Sequence, residues 1–211
     1  MLIAVDGPLA SGKGTIARAI AARFGLPHLD TGSLYRATAV LMLDAGESPH
    51  DADAATQAAK LVDPANIDER RIRSASVGAA ASVLSVHPGV REALFHLQQD
   101  FAARPGGAVL DGRDIGTVIA PHADVKLFVT ADPEIRAGRR HAELINRGEE
   151  ITFEQVLTQL KERDGRDAAR KDSPMRQADD AILLDTSNLS IDGAVSEAVR
   201  LVQIRTGQAP D

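Results

Sequence analysis

Residues 3–25, IAVDGPLASGKGTIARAIAARFG, decide how the rest of the chain is read. The apolar run Leu2-Ile3-Ala4-Val5 has the length of a buried strand. A glycine-rich turn follows. Then Ile16, Ile20 and Phe24 repeat every four residues, as on the inner face of a helix, until Gly25 and Pro27 stop it. Gly7, four residues, then Gly12-Lys13 is the spacing of a P-loop, set between the strand and the helix that such a loop requires. Glycines there let successive backbone N–H groups turn toward phosphate oxygens, and the helix start adds the positive end of its dipole.

Gly7, Pro8, Leu9, Ala10, Ser11, Gly12, Lys13, Gly14 and Thr15 are therefore the candidate ATP cradle, with Lys13 bringing its charge to the β- and γ-phosphates. The strict pattern places a Ser or Thr directly after the lysine to ligate Mg²⁺. Here that position is Gly14, and the hydroxyl arrives one residue late as Thr15, better placed for the α-phosphate. The metal must then be held by phosphate oxygens, water and a carboxylate from elsewhere. This G-K-G-T variant resembles the loop of nucleoside monophosphate (NMP) kinases.

The chain has 211 residues, 44% of them apolar, enough for one α/β domain with insertions or for two small domains. Aromatics are 3%, with no Trp, and the formal net charge is −6, which argues against a nucleic-acid partner. There is no Cys, hence no thiolate metal site and no cysteine nucleophile. No apolar run approaches the roughly 20 residues of a membrane span. Met1 leads straight into the first apolar run, without a basic segment before it, so a cytoplasmic protein without membrane partners is expected.

Further apolar runs at Ala108–Leu110, Val125–Val129 and Ala181–Leu184 read as strands, with a shorter one at Pro27–Leu29. Helical patterns lie between them at Leu34–Leu43, Val90–Phe101, Pro133–Ile145, Phe153–Leu160 continuing to Arg170, and Ile191–Ile204. Strands alternating with helices predict a parallel sheet covered on both faces, with its ligands at the carboxyl ends of the strands. The alanine-dense stretch from 52 to 81 predicts small packed helices.

Two turns at that edge carry chemistry. In VLDGRDIGTV (109–118), Asp111 ends a strand where a Walker-B-type carboxylate would hold Mg²⁺ through water, and Arg113 and Asp114 add an anion binder and an acceptor. In LDTGSLYR (29–36), Thr31 is placed to cap a helix, with Tyr35 and Arg36 one turn along it. Further on, Arg136, Arg139, Arg140 and Arg147 fall on one helical pattern, and Arg163, Arg166 and Arg170 on the next. Thr152 is placed as an N-cap between them. The spacings predict a helical hairpin presenting guanidiniums toward a common space, of use to a charge-rich phosphoryl transition state. The acids Glu143, Glu149, Glu150, Glu154, Glu162, Asp164 and Asp167 in the same region equally fit a salt-bridged surface.

DGPLASGKGT, LDTGSLYR, HPGVREAL, VLDGRDIGTV, LKERDGRDAAR and LDTSNLSI together resemble, in order and spacing and over almost the whole chain, the bacterial cytidylate kinases. The resemblance implies a P-loop NMP-kinase fold with a five-stranded parallel sheet, an NMP-binding insertion and a short helical lid. It implies transfer of the γ-phosphoryl of ATP to CMP or dCMP, with Mg²⁺. A core at about 1–34 and 105–211, an insertion at about 35–104 and a lid at about 140–166 are expected. The small antiparallel sheet that many members carry in the insertion is expected to be reduced to helix, because Asp44 to Arg73 is short and alanine-rich.

By the same resemblance Arg36 is a ligand of the CMP phosphate, with Thr31 and Tyr35 beside it. Ser82, Arg91 and Asp114 read cytosine, and Arg163 with Asp167 meets the ribose. Arg113, Arg163 and Arg170 partner the transferred phosphoryl and the acceptor phosphate. Arg139 and Arg166 belong to the lid, and Thr186–Leu189 form the adenine-side wall. A monomer is expected. Other acceptors stay open on the residues alone: UMP, AMP or a small alcohol, or a non-enzymatic nucleotide switch. A GTPase is disfavoured because no N-K-x-D tetrapeptide occurs.

Overall fold

A computed structural model describes residues 1–171 and 173–207. Five strands, β1 (Leu2–Asp6), β2 (His28–Asp30), β3 (Ala108–Gly112), β4 (Val125–Thr130) and β5 (Ile182–Asp185), form one sheet in the order β2-β3-β1-β4-β5. β1 pairs in parallel with β3 and with β4, and β4 in parallel with β5. The registers Val5 to Asp111, Asp6 to Gly112 and Thr130 to Asp185 bring the turns after β1, β3, β4 and β5 to the same carboxyl edge.

The chain divides into two compact units: Met1–Leu29 together with the chain from Ala102 onward, and Asp30–Phe101. In the larger unit, α1 (Lys13–Phe24) and α8 (Ile191–Thr206) cover one face of the sheet. Ile3 and Val5 of β1 pack there against Ile16, Ile20, Leu127, Val129 and Val202, all fully buried or nearly so. Burying each such branched side chain stabilises the fold by roughly 2 kcal/mol. The alternate residues of β1 face the other way, where Asp6 meets a π-helical turn at Ile115–Ile119. The periodicity of the sequence did not announce that turn. α6 (Pro133–Ile145) and α7 (Phe153–Ala168) form the expected hairpin, and Thr152 caps α7 in a reciprocal pair with Gln155.

In the smaller unit every described element from Thr31 to Phe101 is helical: α2 (Thr31–Asp44), α3 (Ala52–Lys60), α4 (Ala75–Leu84), α5 (Pro88–Ala102, ending one residue past the unit) and two short 3-10 turns. Alanines explain this. Ala55, Ala59, Ala80 and Ala81 are buried, letting α3 and α4 approach α2 closely without bulky side chains.

Three expectations are corrected. Thr31 does not cap α2: it is the first helical residue, buried, and Asp30 stands at the cap without a side-chain bond. Arg170 and Arg147 lie beyond the ends of α7 and α6, so neither continues its helix face.

Candidate active site

The phosphate loop is shaped by positions that tolerate little else. A Cβ on Gly7 would stand 2.0 Å from the Val129 carbonyl oxygen of β4, so only glycine lets the loop pass the sheet. Gly12 adopts φ 92° and Ala10 φ 60°, a left-handed turn that is disfavoured for a residue with a Cβ. α1 then starts with Gly12 at its cap and no side-chain hydrogen bond there. A glycine cap offers these first N–H groups no side-chain oxygen of its own, which suits an external anion. Lys13 Nζ reaches back to the Pro8 carbonyl at 3.4 Å. A cavity of about 590 Å³ opens beside the loop, lined by Ala10, Ser11, Gly12 and Thr15 on one side and Arg139, Thr186, Leu189 and Ile191 among others on the opposite one. Arg139 donates to Thr186 Oγ1 (2.9 Å) and to the Thr186 carbonyl (2.7 Å), and Thr186 Oγ1 lies 2.9 Å from the Ser11 carbonyl.

The turn after β3 sits next to this loop. Asp111 is buried, and its Oδ1 accepts from His28 Nε2 at 2.7 Å. Its Oδ2 would lie 3.7 Å from a Cβ on Gly14. Arg18 Nη1 would lie at the same 3.7 Å, so a guanidinium and a carboxylate both border the helix start at Gly14. Among the described residues no three carboxylate or imidazole groups gather into a metal cage.

Asp167 is the hub of the arginines. Arg113 Nε donates to its Oδ2 at 2.9 Å, Arg170 Nη2 bonds its Oδ1, and Arg163 Nε lies 3.9 Å from Oδ2. Burial raises the Asp167 pKa, but the three guanidiniums outweigh that and hold it below the usual aspartate value. The other arginines disperse, against the expectation of a common space. Arg140 and Arg147 both pair with Glu143, and the more exposed Arg166 lies 4.0 Å from Glu162. Arg136 turns inward to the loop.

Asp114 is buried at the entry to the π turn. The next two N–H groups, of Ile115 and Gly116, donate to the two oxygens of Asp6 at 2.8 and 2.7 Å. Burial pushes the Asp6 pKa up to about 7, the two backbone bonds opposing it. Lys126 supports the same turn: its methylenes lie against Gly116, and its ammonium donates to the Pro121 carbonyl and to Asp180.

Thr31, Tyr35, Arg36, Ser82 and Arg91 belong to the smaller unit. Arg36 donates to the Ile72 carbonyl at 2.8 Å and lies against Gly78, where a Cβ would come within 3.1 Å of its guanidinium. Arg91 Nη1 is 3.4 Å from the Tyr35 hydroxyl, and Ser82 is buried in α4. The residues that sequence reasoning missed are Asp6, His28 and Lys126; Arg136 was singled out, but its turn toward the Leu9 carbonyl was not foreseen. Asp6 could have been suspected, because a carboxylate ending a central strand must find a partner.

A strand–loop–helix cradle beside a carboxylate-anchored arginine cluster, at the carboxyl edge of a 2-3-1-4-5 parallel sheet, defines a P-loop kinase. Solved structures agree on the fold: a gluconokinase from Sinorhizobium meliloti 1021 superimposes with a TM-score of 0.54 at 15% identity, over 98% of this chain and 94% of that one. An uncharacterized protein from Eubacterium ventriosum gives 0.56 at 12% identity, over 96% and 98%.

Sequence comparison is more specific. The Cytidylate kinase family model matches residues 3–204. A cytidylate kinase of Xanthobacter autotrophicus is 57% identical over 205 residues, 97% of this chain and 98% of that relative. One of Caulobacter vibrioides is 54% identical over 202 residues, 96% and 95%. The chain belongs to the cytidylate kinase family.

Proposed function

We propose that this chain transfers the γ-phosphoryl group of ATP to CMP and dCMP, giving ADP and CDP or dCDP for pyrimidine nucleotide metabolism. The observation that carries this is the phosphate loop, with its uncapped helix start, in one unit with the Asp167-anchored arginines. An oxygen of the CMP phosphate attacks the γ-phosphorus, and the bond to the bridging oxygen of ADP breaks. The attacking phosphate is already anionic, so no side chain need remove a proton. What the protein must supply is position and positive charge.

The roles follow. Gly7 to Thr15 hold the ATP phosphates, with Lys13 on the β- and γ-groups. Arg113, Arg163 and Arg170 meet the transferred phosphoryl and the acceptor phosphate. Asp167 keeps these guanidiniums at one point, and with Arg163 meets the ribose. Thr31, Tyr35 and Arg36 take the CMP phosphate. Ser82, Arg91 and Asp114 read the base: a carboxylate suits the N4 amino group of cytosine, and an arginine its O2 and N3. A site built on such buried polar contacts rejects a base that leaves them unpaired.

Mg²⁺ would be held by phosphate oxygens and water, with the buried Asp111 carboxylate, which borders the helix start at Gly14, reached through water. Bound there, the metal would neutralise charge on the β- and γ-phosphate oxygens. The insertion at about 35–104 is assigned to CMP binding, and the segment at about 140–166, with Arg139 and Arg166, to a lid over the ATP side. No described helix is long and apolar enough to cross a membrane. We read the protein as a monomer acting on free nucleotides in the cytoplasm.

An ADP-release assay with MgATP and CMP, dCMP, UMP, AMP, GMP or no acceptor tests the function. Fast turnover with CMP and dCMP, weak with UMP and absent with purines, is expected. Preference for AMP, or ADP release independent of any acceptor, would overturn it.

A further inference from the structure

Arg136 lies in the first turn of α6, where an arginine would ordinarily face water. Instead it is only 4% exposed. Its guanidinium has three directions, each with a partner in the larger unit. Nε donates to the Ala131 carbonyl at the end of β4 (2.8 Å), Nη1 to the Leu9 carbonyl of the phosphate loop (3.2 Å), and Nη2 to Asp164 of α7 (2.6 Å). A lysine ammonium could not span this fork, because its charge is one point and not a plane of divergent donors.

A second observation makes the contact to Leu9 meaningful. The next residue, Ala10, is held at φ 60°, a left-handed conformation that a side chain disfavours. In a trans peptide the carbonyl and the following N–H point in opposite directions. A guanidinium that fixes the Leu9 carbonyl therefore also turns the Ala10 N–H away from itself, and opposes relaxation of the strained residue. At its other end, Asp164 is adjacent to Arg163 and three residues before Asp167, on the turn of α7 from which both act.

We propose that Arg136 is a positioning residue: it holds the phosphate loop in its strained shape through Leu9, and through Asp164 it sets the Arg163–Asp167 turn of α7 against that loop. The inference rests on the phosphotransfer function above. It separates two tasks, shaping the donor cradle and aligning the arginines, that one buried side chain performs at once.

The test compares wild type with Arg136→Lys, Arg136→Met, Asp164→Asn, the Arg136→Lys/Asp164→Asn double variant and Arg136→Lys/Ala10→Gly. ADP affinity is read by calorimetry, kcat and KM for CMP by ADP release, and folding by thermal melting. Arg136→Lys should weaken ADP about fivefold and lower kcat about tenfold, with the KM for CMP within about twofold of wild type. Asp164→Asn should leave ADP affinity nearly unchanged while lowering kcat about fivefold, because it cuts only the α7 end. The double variant should be no slower than Arg136→Lys, as expected when two residues share one link. Ala10→Gly should return part of the lost ADP affinity, since glycine takes the left-handed turn without strain.

Wild-type kcat in both Arg136→Lys and Asp164→Asn would overturn the proposal. So would losses that only follow the melting temperature, with ADP affinity and kcat per folded molecule unchanged. If Arg136→Met does not fold, the lysine and asparagine variants still decide. Should wild type bind ADP without turning over CMP, the function assigned above fails, while the ADP affinities still judge Arg136.

Discussion

Replacing Asp6 by asparagine should remove a defined part of the pH dependence of stability. The Asp6 carboxyl is 5% exposed, and burial pushes its pKa from 3.8 up to about 7. Lys13 draws it down and Asp114 pushes it up, and Lys126 lies nearby across Gly116. Because the folded pKa is raised, the unfolded chain binds fewer protons than the folded one between these two values. Stability from this group is then fully present below pH 4 and is lost as pH rises through about 7. At 1.36 kcal/mol per unit, the linkage between pH 5 and pH 8 amounts to about 2–3 kcal/mol. Asparagine has nearly the same shape but does not titrate. It also loses one acceptor for the Ile115 and Gly116 N–H groups, at roughly 1–3 kcal/mol that does not vary with pH. Urea unfolding of both proteins at pH 5, 6, 7 and 8 isolates the effect. The wild-type stability minus that of Asp6→Asn should fall by about 2–3 kcal/mol across the range. A difference flat to within about 0.5 kcal/mol would show that Asp6 ionises as an ordinary aspartate, and would refute the reasoning.

Lys13→Ala should lower kcat by about a thousandfold or more while CMP binding, followed by calorimetry, persists. Arg163→Ala and Arg170→Ala should each lower kcat far more than they raise the KM for ATP; near-wild-type turnover in either would return that arginine to the solvated surface. Gly7→Ala drives a Cβ to 2.0 Å from the Val129 carbonyl. It should destabilise the protein by about 3 kcal/mol or more in urea unfolding. Gly14→Ala, by contrast, meets nothing closer than 3.7 Å. It should leave the melting temperature within a few degrees of wild type, and a large drop would mean that the Arg18 and Asp111 side chains do not accommodate a methyl group at the helix start.

The sheet and the phosphate loop were legible because their signals are local. An apolar run, a glycine spacing and a four-residue apolar repeat each report on adjacent residues, and β1, the loop and α1 follow one another directly. The alanine-rich insertion was legible for the same reason, since small side chains with little β-branching favour packed helices. Side-chain direction was not legible. Arg136, Arg139 and Arg140 lie close together in one helix, yet they turn to the loop, to Thr186 and to Glu143, because their partners come from distant segments. The convergence of Arg113, Arg163 and Arg170 depends on one buried carboxylate, Asp167, that looks in the sequence like any helix-surface acid. The Asp6 clamp on Ile115 and Gly116 spans more than a hundred residues, and the π turn that it holds has no apolar period of its own.

The central claim is that a phosphoryl group passes from ATP to the phosphate of CMP. Incubating the protein with ATP labelled at the γ-phosphorus and unlabelled CMP, then separating the products, tests it most directly. The label should appear in CDP, stoichiometric with ADP formed, and Lys13→Ala should abolish it. Label recovered as inorganic phosphate, or left in ATP while CMP stays intact, would contradict the account.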